Sequence, residues 1–253
     1  MSFRLDGRRA FVSGASRGIG RAIAIAYAQA GADVAVSARS EDKLHEVAAE
    51  IQALGRRAVV LPCDVTDGEA IRAAVDAAAL SLGGLDILVN NAGGNSFSTP
   101  LATMRFSGWQ KTFTLNVESI FHTCQAAAPH LFASGNASVI NVSSVASLAG
   151  TPFMAHYGAA KAAVTSLTKT LAIEWAYANV RVNALVPGWV ETDLTEFLRA
   201  SSESEAGVLS RVPMQRWGRS AELAAPAVFL ASDASAFMTG QQLVVDGGLS
   251  VMP

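Results

Sequence analysis

The chain has 253 residues, of which 51% are apolar and 16% charged, with a net charge of -2. That length serves one large domain or two small ones, and it buries a sizeable core without disulfides or metals. The near-zero charge offers no footprint for nucleic acid or an anionic membrane, and the low charged fraction argues against disorder and for surface covered by sister subunits.

Short apolar runs alternate with longer Ala-rich stretches, the rhythm of a parallel sheet with helices on both faces. Ala10-Phe11-Val12 reads as the first strand, followed by a glycine turn and a helix from Ile19 to Ala30 that stops at Gly31. Val34-Ala35-Val36 is the second strand. The next helix starts near Ser40, with Glu41 and Asp42 in the first turn, where the helix dipole favours acids. Ala58 to Leu61 is the third strand, ended by Pro62, and Asp67 to Leu82 is a helix closed by Gly83-Gly84. Ile87-Leu88-Val89 is the fourth, with a loop to about Pro100 and a helix ending near Pro129. Val139 to Val142 is the fifth, a long helix runs from about His156 to Ala178, and Val180 to Val186 is the sixth.

From Gly188 to Arg219 the rhythm breaks. Ser201-Ser202-Glu203-Ser204-Glu205 is polar, yet Trp189, Phe197, Leu198 and Trp217 flank it. A long irregular segment in a compact domain reads as an active-site lid or as a plain surface excursion. A helix from about Ser220 to Leu230 carries Pro226, which should kink it, and Leu243-Val244-Val245 is the last strand. With no repeat or linker, one domain spanning 1–253 fits best, with 188–219 as its lid. The opening Met1 to Arg9 lacks the apolar core of a signal peptide, and no apolar run reaches the ~18 residues of a membrane span. A cytoplasmic location is expected. Cys63 and Cys124 make neither a disulfide framework nor a zinc cage, and His45, His122, His130 and His156 show no ligand spacing, so no metal site is expected.

Ser13-Gly14-Ala15-Ser16-Arg17-Gly18-Ile19-Gly20 lies between the first strand and the first helix. Glycines there permit a tight turn and close approach of backbone to a diphosphate, which faces the amides of the helix N-terminus. Alone, the same turn could be a glycine-rich connection without a ligand. Read with three later blocks it is more specific: Asn90-Asn91-Ala92-Gly93 after the fourth strand, Ser144 after the fifth, and Tyr157-x-x-x-Lys161 thirteen residues beyond Ser144. In this order and spacing the chain resembles a short-chain dehydrogenase/reductase of the compact kind, over essentially its whole length. Ser13 replaces the family's more frequent Thr and keeps a hydroxyl.

The resemblance implies a single doubly wound Rossmann-like α/β domain with a seven-stranded parallel sheet in the order 3-2-1-4-5-6-7. It implies Asn116, Ser144, Tyr157 and Lys161 as catalytic residues. The cofactor-binding residues it implies are Gly14, Ser16, Arg17, Gly18, Ile19 and Gly20 in the turn, then Arg39, Asp64, Val65, Asn91, Ala92 and Gly93. Tyr157, Lys161, Pro187, Gly188, Val190 and Thr192 complete them. Among these, Asp64 would contact the adenine amino group and Val65 the ring; Asp64 could equally be a turn cap. The similarity extends to 3-oxoacyl-carrier-protein reductases and to sugar or polyol dehydrogenases, and by analogy to a homotetramer or homodimer, with Gln241 to Pro253 at one interface.

The residues make chemical sense. Tyr157 and Lys161, four apart on a helix, share a face. A phenol titrates near 10, too high for proton transfer at neutrality, and a nearby ammonium is expected to lower it. The alternatives are a core tyrosine and a solvated lysine. Ser144, past a strand end on the rim where ligands bind, can donate to a substrate oxygen; Ser143 is its competitor. Asn116 either bonds a neighbouring carbonyl or, by resemblance, holds a water linking Lys161 to solvent.

An acid at the end of the second strand would accept hydrogen bonds from the adenosine ribose and repel a 2′-phosphate. Ala38 stands there instead, followed by Arg39, with Arg17 on the same side. Two guanidiniums without a carboxylate suit a phosphate, so NADP(H) is favoured over NAD(H). Asn95, Ser96, Phe97, the Leu148 to Met154 loop, Trp189 and the lid are the expected pocket walls, mostly apolar, suited to an uncharged or modestly polar ketone or alcohol. The expected chemistry is hydride transfer between NADP(H) and a ketone/secondary-alcohol pair. A rival reading is a non-catalytic nucleotide-sensing protein on the same fold, which would have no need of Asn116, Ser144, Tyr157 and Lys161 together.

Overall fold

The computed structural model describes residues 3–252; Met1, Ser2 and Pro253, which end two of the stretches read above, lie outside the described residues. Strand β1 (Arg9–Ser13) leads to α1 (Gly18–Ala30), β2 (Asp33–Ala38), α2 (Glu41–Ala53), β3 (Ala58–Pro62), α3 (Gly68–Leu82) and β4 (Ile87–Asn90). After a loop come α4 (Phe106–Phe113), α5 (Ser119–Ser134), β5 (Ala137–Val142), α6 (Ala155–Glu174) and β6 (Val180–Pro187). The remainder is β7 (Val190–Glu191), α7 (Glu196–Arg199), α8 (Ser202–Leu209), β8 (Gly218–Arg219), α9 (Ser220–Ala231) and β9 (Gln242–Val245).

Seven parallel strands form one sheet in the order β3-β2-β1-β4-β5-β6-β9. This is the expected order; the last strand is ninth in the chain only because β7 and β8 pair separately as a short parallel ribbon. Strand alternation builds two cores. Ala10, Val12, Ile87 and Val89 face α1, α2 and α9, packing with Ile23, Leu44 and Leu230, whereas Phe11 and Leu88 face α3, α5 and α6, packing with Ile71, Leu131 and Val164. The chain reverses its winding between β1 and β4, which both take part in register at Ala10. That reversal opens a crevice at the strands' carboxyl ends.

Local signals set several boundaries. Gly31 ends α1 in the left-handed region. The Asp67 side chain accepts from the backbone amides of Glu69 and Ala70 and caps α3, a device worth about 1 kcal/mol. Three expectations need correction. The stretch read as one helix ending near Pro129 is α4, a π turn over Thr114–Glu118, and α5, which continues past Pro129 to Ser134. A proline deletes one backbone bond, and burial of Ala126, Ala127 and Leu131 keeps the helix intact. The segment 188–219 is not irregular: Ser201 caps α8, and Trp217 Nε1 donates to Glu205 Oε1 at 2.8 Å across it. Around Pro226, α9 runs without interruption, and the buried Tyr27 hydroxyl donates to the Ala227 carbonyl at 3.1 Å.

Candidate active site

Gly14 and Gly18 take φ of +65° and +56°, open to glycine at no steric cost. A Cβ on Gly14 would stand 2.8 Å from Asn91 Nδ2 and 2.9 Å from Ala92 Cα, and one on Gly20 would overlap the Gly14 carbonyl. The turn after β1 and the turn after β4 are thus pressed together. Polar bonds fasten them: Asn91 Nδ2 donates to the carbonyls of Ser13 at 3.0 Å and Gly14 at 3.2 Å, and Ser13 Oγ accepts from the amides of Asn91 and Ala92, each at 3.1 Å.

These turns form the floor of a cleft of about 1560 Å3. Of the residues singled out from the sequence, Gly14, Ser16, Arg17, Gly18, Ile19, Arg39, Asp64, Val65, Asn91, Ala92, Gly93, Ser144, Tyr157, Lys161, Pro187, Gly188, Val190 and Thr192 all line it. Gly20 and Asn116 are absent from its surface and stand behind it. Gly20 packs against Gly14, and Asn116, fully buried in the π turn, bonds both main-chain groups of Gly94 and the Thr112 carbonyl at 2.9–3.0 Å. The Asn116 amide is thereby committed to shaping the loop.

Lys161 is almost fully buried, and its Nζ donates to the Val142 carbonyl at 2.9 Å, 5.7 Å from the centre of the Tyr157 ring. A Cβ on Gly93 would lie 2.8 Å from Asn116 Oδ1 and 3.2 Å from Lys161 Nζ, so the absence of a side chain there lets the ammonium and the loop meet. Ser143 and Ser144 divide their work. The Ser143 hydroxyl is buried and donates to the Lys161 carbonyl at 3.0 Å, whereas Ser144 Oγ accepts the Ala146 amide at 3.2 Å and stands beside Tyr157.

The expected lowering of the Tyr157 phenol is not found. Burial pushes it above its ordinary value, and the interaction with Ser144 opposes that only in part. The ammonium that was to lower it is itself desolvated, with its titration pushed down to about 8, and it is held on the Val142 carbonyl. The electrostatics at the far end also differ from expectation. Arg17 is not free of carboxylates: Asp193, from the segment after β7, pairs with it. Asp64 is held below the usual carboxylate range by the backbone amide and hydroxyl of Thr66, with Arg39 adding to the effect.

The family model described as Enoyl-(Acyl carrier protein) reductase matches residues 14–250. Gluconate 5-dehydrogenase of Gluconobacter oxydans is 39% identical over 98% of this chain and 97% of its own length. The chain belongs to the short-chain dehydrogenase/reductase family. It is therefore an oxidoreductase. A 3-oxoacyl-(acyl-carrier-protein) reductase of Thermotoga maritima is 37% identical over 98% of this chain and all of its own length. The crystal structure of a gluconate 5-dehydrogenase from Burkholderia cenocepacia, in complex with NADP and tartrate, superposes with a TM-score of 0.94 at 39% identity, covering 99% of this chain and 98% of that one.

Within this family member, some expected walls lie elsewhere. Trp189 does not line the cleft but meets Trp217 edge to face at 6.0 Å, and the 148–154 loop is likewise off its surface. Leu194 and Phe197 of the lid do line it, as expected, and so do Ser107, Gln110, Lys111 and Leu115, which the sequence does not single out. These last four belong to α4 and the π turn, whose inward face is hidden from any periodicity that treats the region as one helix.

Proposed function

We propose that this chain interconverts a ketone and a secondary alcohol with NADP(H), Tyr157 giving or taking the proton on the substrate oxygen. A bound nicotinamide dinucleotide would supply or accept the hydride. The site residues fit such a group: the glycine turn exposes backbone where side chains cannot stand, and Arg39, Ser40 and Lys43 line the cleft beside Ala38. Arg17 and Arg39 would bind a 2′-phosphate, with Arg17 exchanging Asp193 for it.

The observation that carries the reading is the meeting of Tyr157, Ser144 and Lys161 in the same cleft as that turn. Burial keeps the phenol protonated at neutral pH, which suits it to donate during reduction. Ser144 orients the carbonyl oxygen, and the Lys161 ammonium stabilises the phenolate left behind. Asn116 fixes the loop that carries Gly93 and Gly94, and 188–219 acts as the lid, with Leu194 and Phe197 turned to the cleft. Oxidation of NADPH and NADH across ketones, 3-oxoacyl thioesters and keto sugars tests the proposal. NADPH should be preferred and Tyr157→Phe should cut turnover by about a thousandfold; turnover left unchanged by that substitution overturns the assignment.

A 3-oxoacyl thioester is the first substrate reading. A sugar or polyol is the second, favoured by the hydroxyl and amide groups of Asn95, Ser96, Ser98, Ser107 and Gln110 around the cleft. A homotetramer in the cytoplasm is inferred from the exposed apolar side chains of Phe121, Ile173, Tyr177 and Phe237 and from the lack, among the described residues, of any helix long and apolar enough to cross a membrane. Light scattering on the purified chain checks the assembly.

A further inference from the structure

The side chain immediately before Tyr157 is a histidine with no solvent exposure. Its Nε2 lies 2.9 Å from Asn95 Oδ1, and its ring stacks on Phe97 with centroids 4.1 Å apart and planes 12° apart. Asn95 and Phe97 both line the cleft with Tyr157 and Ser144. Gly108 also closes on Phe97: a Cβ there would come within 2.9 Å of Cζ of the ring. The loop is tied again at Gly94 by Asn116 and at Thr99, whose amide donates to the Phe153 carbonyl at 2.8 Å. His156 is the tie that bonds the side chain of Asn95, which lines the cleft.

The hydrogen-bond inventory then fixes a direction. An amide oxygen only accepts, so a ring nitrogen 2.9 Å from it must carry the proton. The Phe97 backbone lies beside the other side of the imidazole but does not reach hydrogen-bonding geometry with the buried Nδ1, so Nδ1 can go without a proton, an unpartnered lone pair costing less than an unpartnered N–H. With Asn95 Oδ1 engaged, its Nδ2 group has no protein partner among the described residues and is the part left to the cleft.

We propose that His156 is a positioning residue that holds Asn95 with its amide donor toward the substrate, so that the enzyme selects carbonyl compounds carrying a second acceptor oxygen. This deepens the reductase reading and rests on it. Plain ketones would satisfy Tyr157 and Ser144 but leave Asn95 Nδ2 unpaired.

The test uses NADPH with two probes, 2-hydroxycyclohexanone and cyclohexanone. The wild-type chain should prefer the hydroxyketone in kcat/KM by about tenfold, the worth of one well-placed hydrogen bond. Asn95→Ala and His156→Leu should abolish that preference through KM, with kcat within about twofold, because the contact lies away from the reacting carbon. His156→Gln, whose amide nitrogen takes roughly the place of Nε2, should restore most of it, which a purely structural role would not explain. Independently of turnover, nitrogen-15 NMR of the histidine rings should show His156 protonated on Nε2, assigned by its loss in His156→Gln. Protonation on Nδ1 alone, toward the Phe97 carbonyl, would mean that Asn95 is turned the other way and would overturn the inference. Equal handling of the two probes by the wild-type chain, absence of turnover included, also overturns it. A Tyr157→Phe enzyme with turnover unchanged would instead sink the reductase reading and leave the tautomer result standing.

Discussion

Asp86 and Arg181 at one end of the sheet, and the cleft residues at the other, hold their polar groups in opposite ways. At the amino ends of the strands, Asp86 accepts from the backbone amide and the guanidinium of Arg9 and from the Ser134 hydroxyl, at 2.6–2.9 Å. Arg181, also buried there, spreads its guanidinium over the carbonyls of Leu230 and Ser232 and the Ser235 hydroxyl. At the carboxyl ends the same kinds of group are held by one side and left open on the other: Tyr157 beside Ser144, Asn95 with a spare donor, Lys161 with a single carbonyl. The networks around Asp86 and Arg181 hold strands in register, although Arg8 Nε and Nη2 near Arg181 are buried without a partner; the open groups of the cleft are where a substrate would complete the hydrogen bonding.

Changes at the two ends should therefore separate activity from stability. Tyr157→Phe should lower turnover by about a thousandfold with the melting temperature within a degree or two, read by steady-state kinetics and thermal melts. Asp86→Ala should do the reverse, costing about 3 kcal/mol in denaturant titration because it strands Arg9 by a partly buried pair, while turnover per folded molecule stays near wild type.

The same aspartate gives a pH signature. Burial raises Asp86, but the bonds from Arg9 and Ser134 outweigh it and hold the carboxyl below its ordinary value. The folded state thus binds the proton less readily than the unfolded chain, so this contribution is present above about pH 4 and is lost as pH falls through the folded value. Unfolding curves between pH 5 and 3 should be flatter for Asp86→Ala than for the wild-type chain. The smallest effect expected is at the cleft's edge: Arg39→Ala should raise KM for NADPH by about tenfold and leave KM for NADH nearly unchanged, since an exposed guanidinium is screened by solvent.

What the sequence revealed follows the range of the forces involved. The strand and helix rhythm, the stop at Gly31 and the cap at Asp67 depend on neighbours in the chain, and they read directly. The seven-strand order and the gathering of the glycine turn, Gly93, Ser144, Tyr157 and Lys161 at one rim follow from that rhythm together with the family's spacing. The break between α4 and α5 does not, because it is stabilised by Asn116 reaching back to Gly94, and α8 is held by a bond between Glu205 and Trp217. The Tyr157 ionisation is beyond the sequence for a similar reason. Four residues of helical spacing put Lys161 on the right face, but only the fold reveals that its ammonium is buried and turned to Val142. Asp193, 176 positions from Arg17, is likewise beyond any local pattern.

The π turn carries a lesson for anyone shortening or grafting this chain. It holds one residue more than an α-helical turn, so excising one of its residues would restore regular winding and leave α5 facing the same way. Ile120, Cys124 and Ala127 would keep their places in the core, but Asn116 would lose the local backbone path that lets it reach Gly94. A single deletion between Phe113 and Ser119 should accordingly spare stability more than it spares the loop beside the cleft.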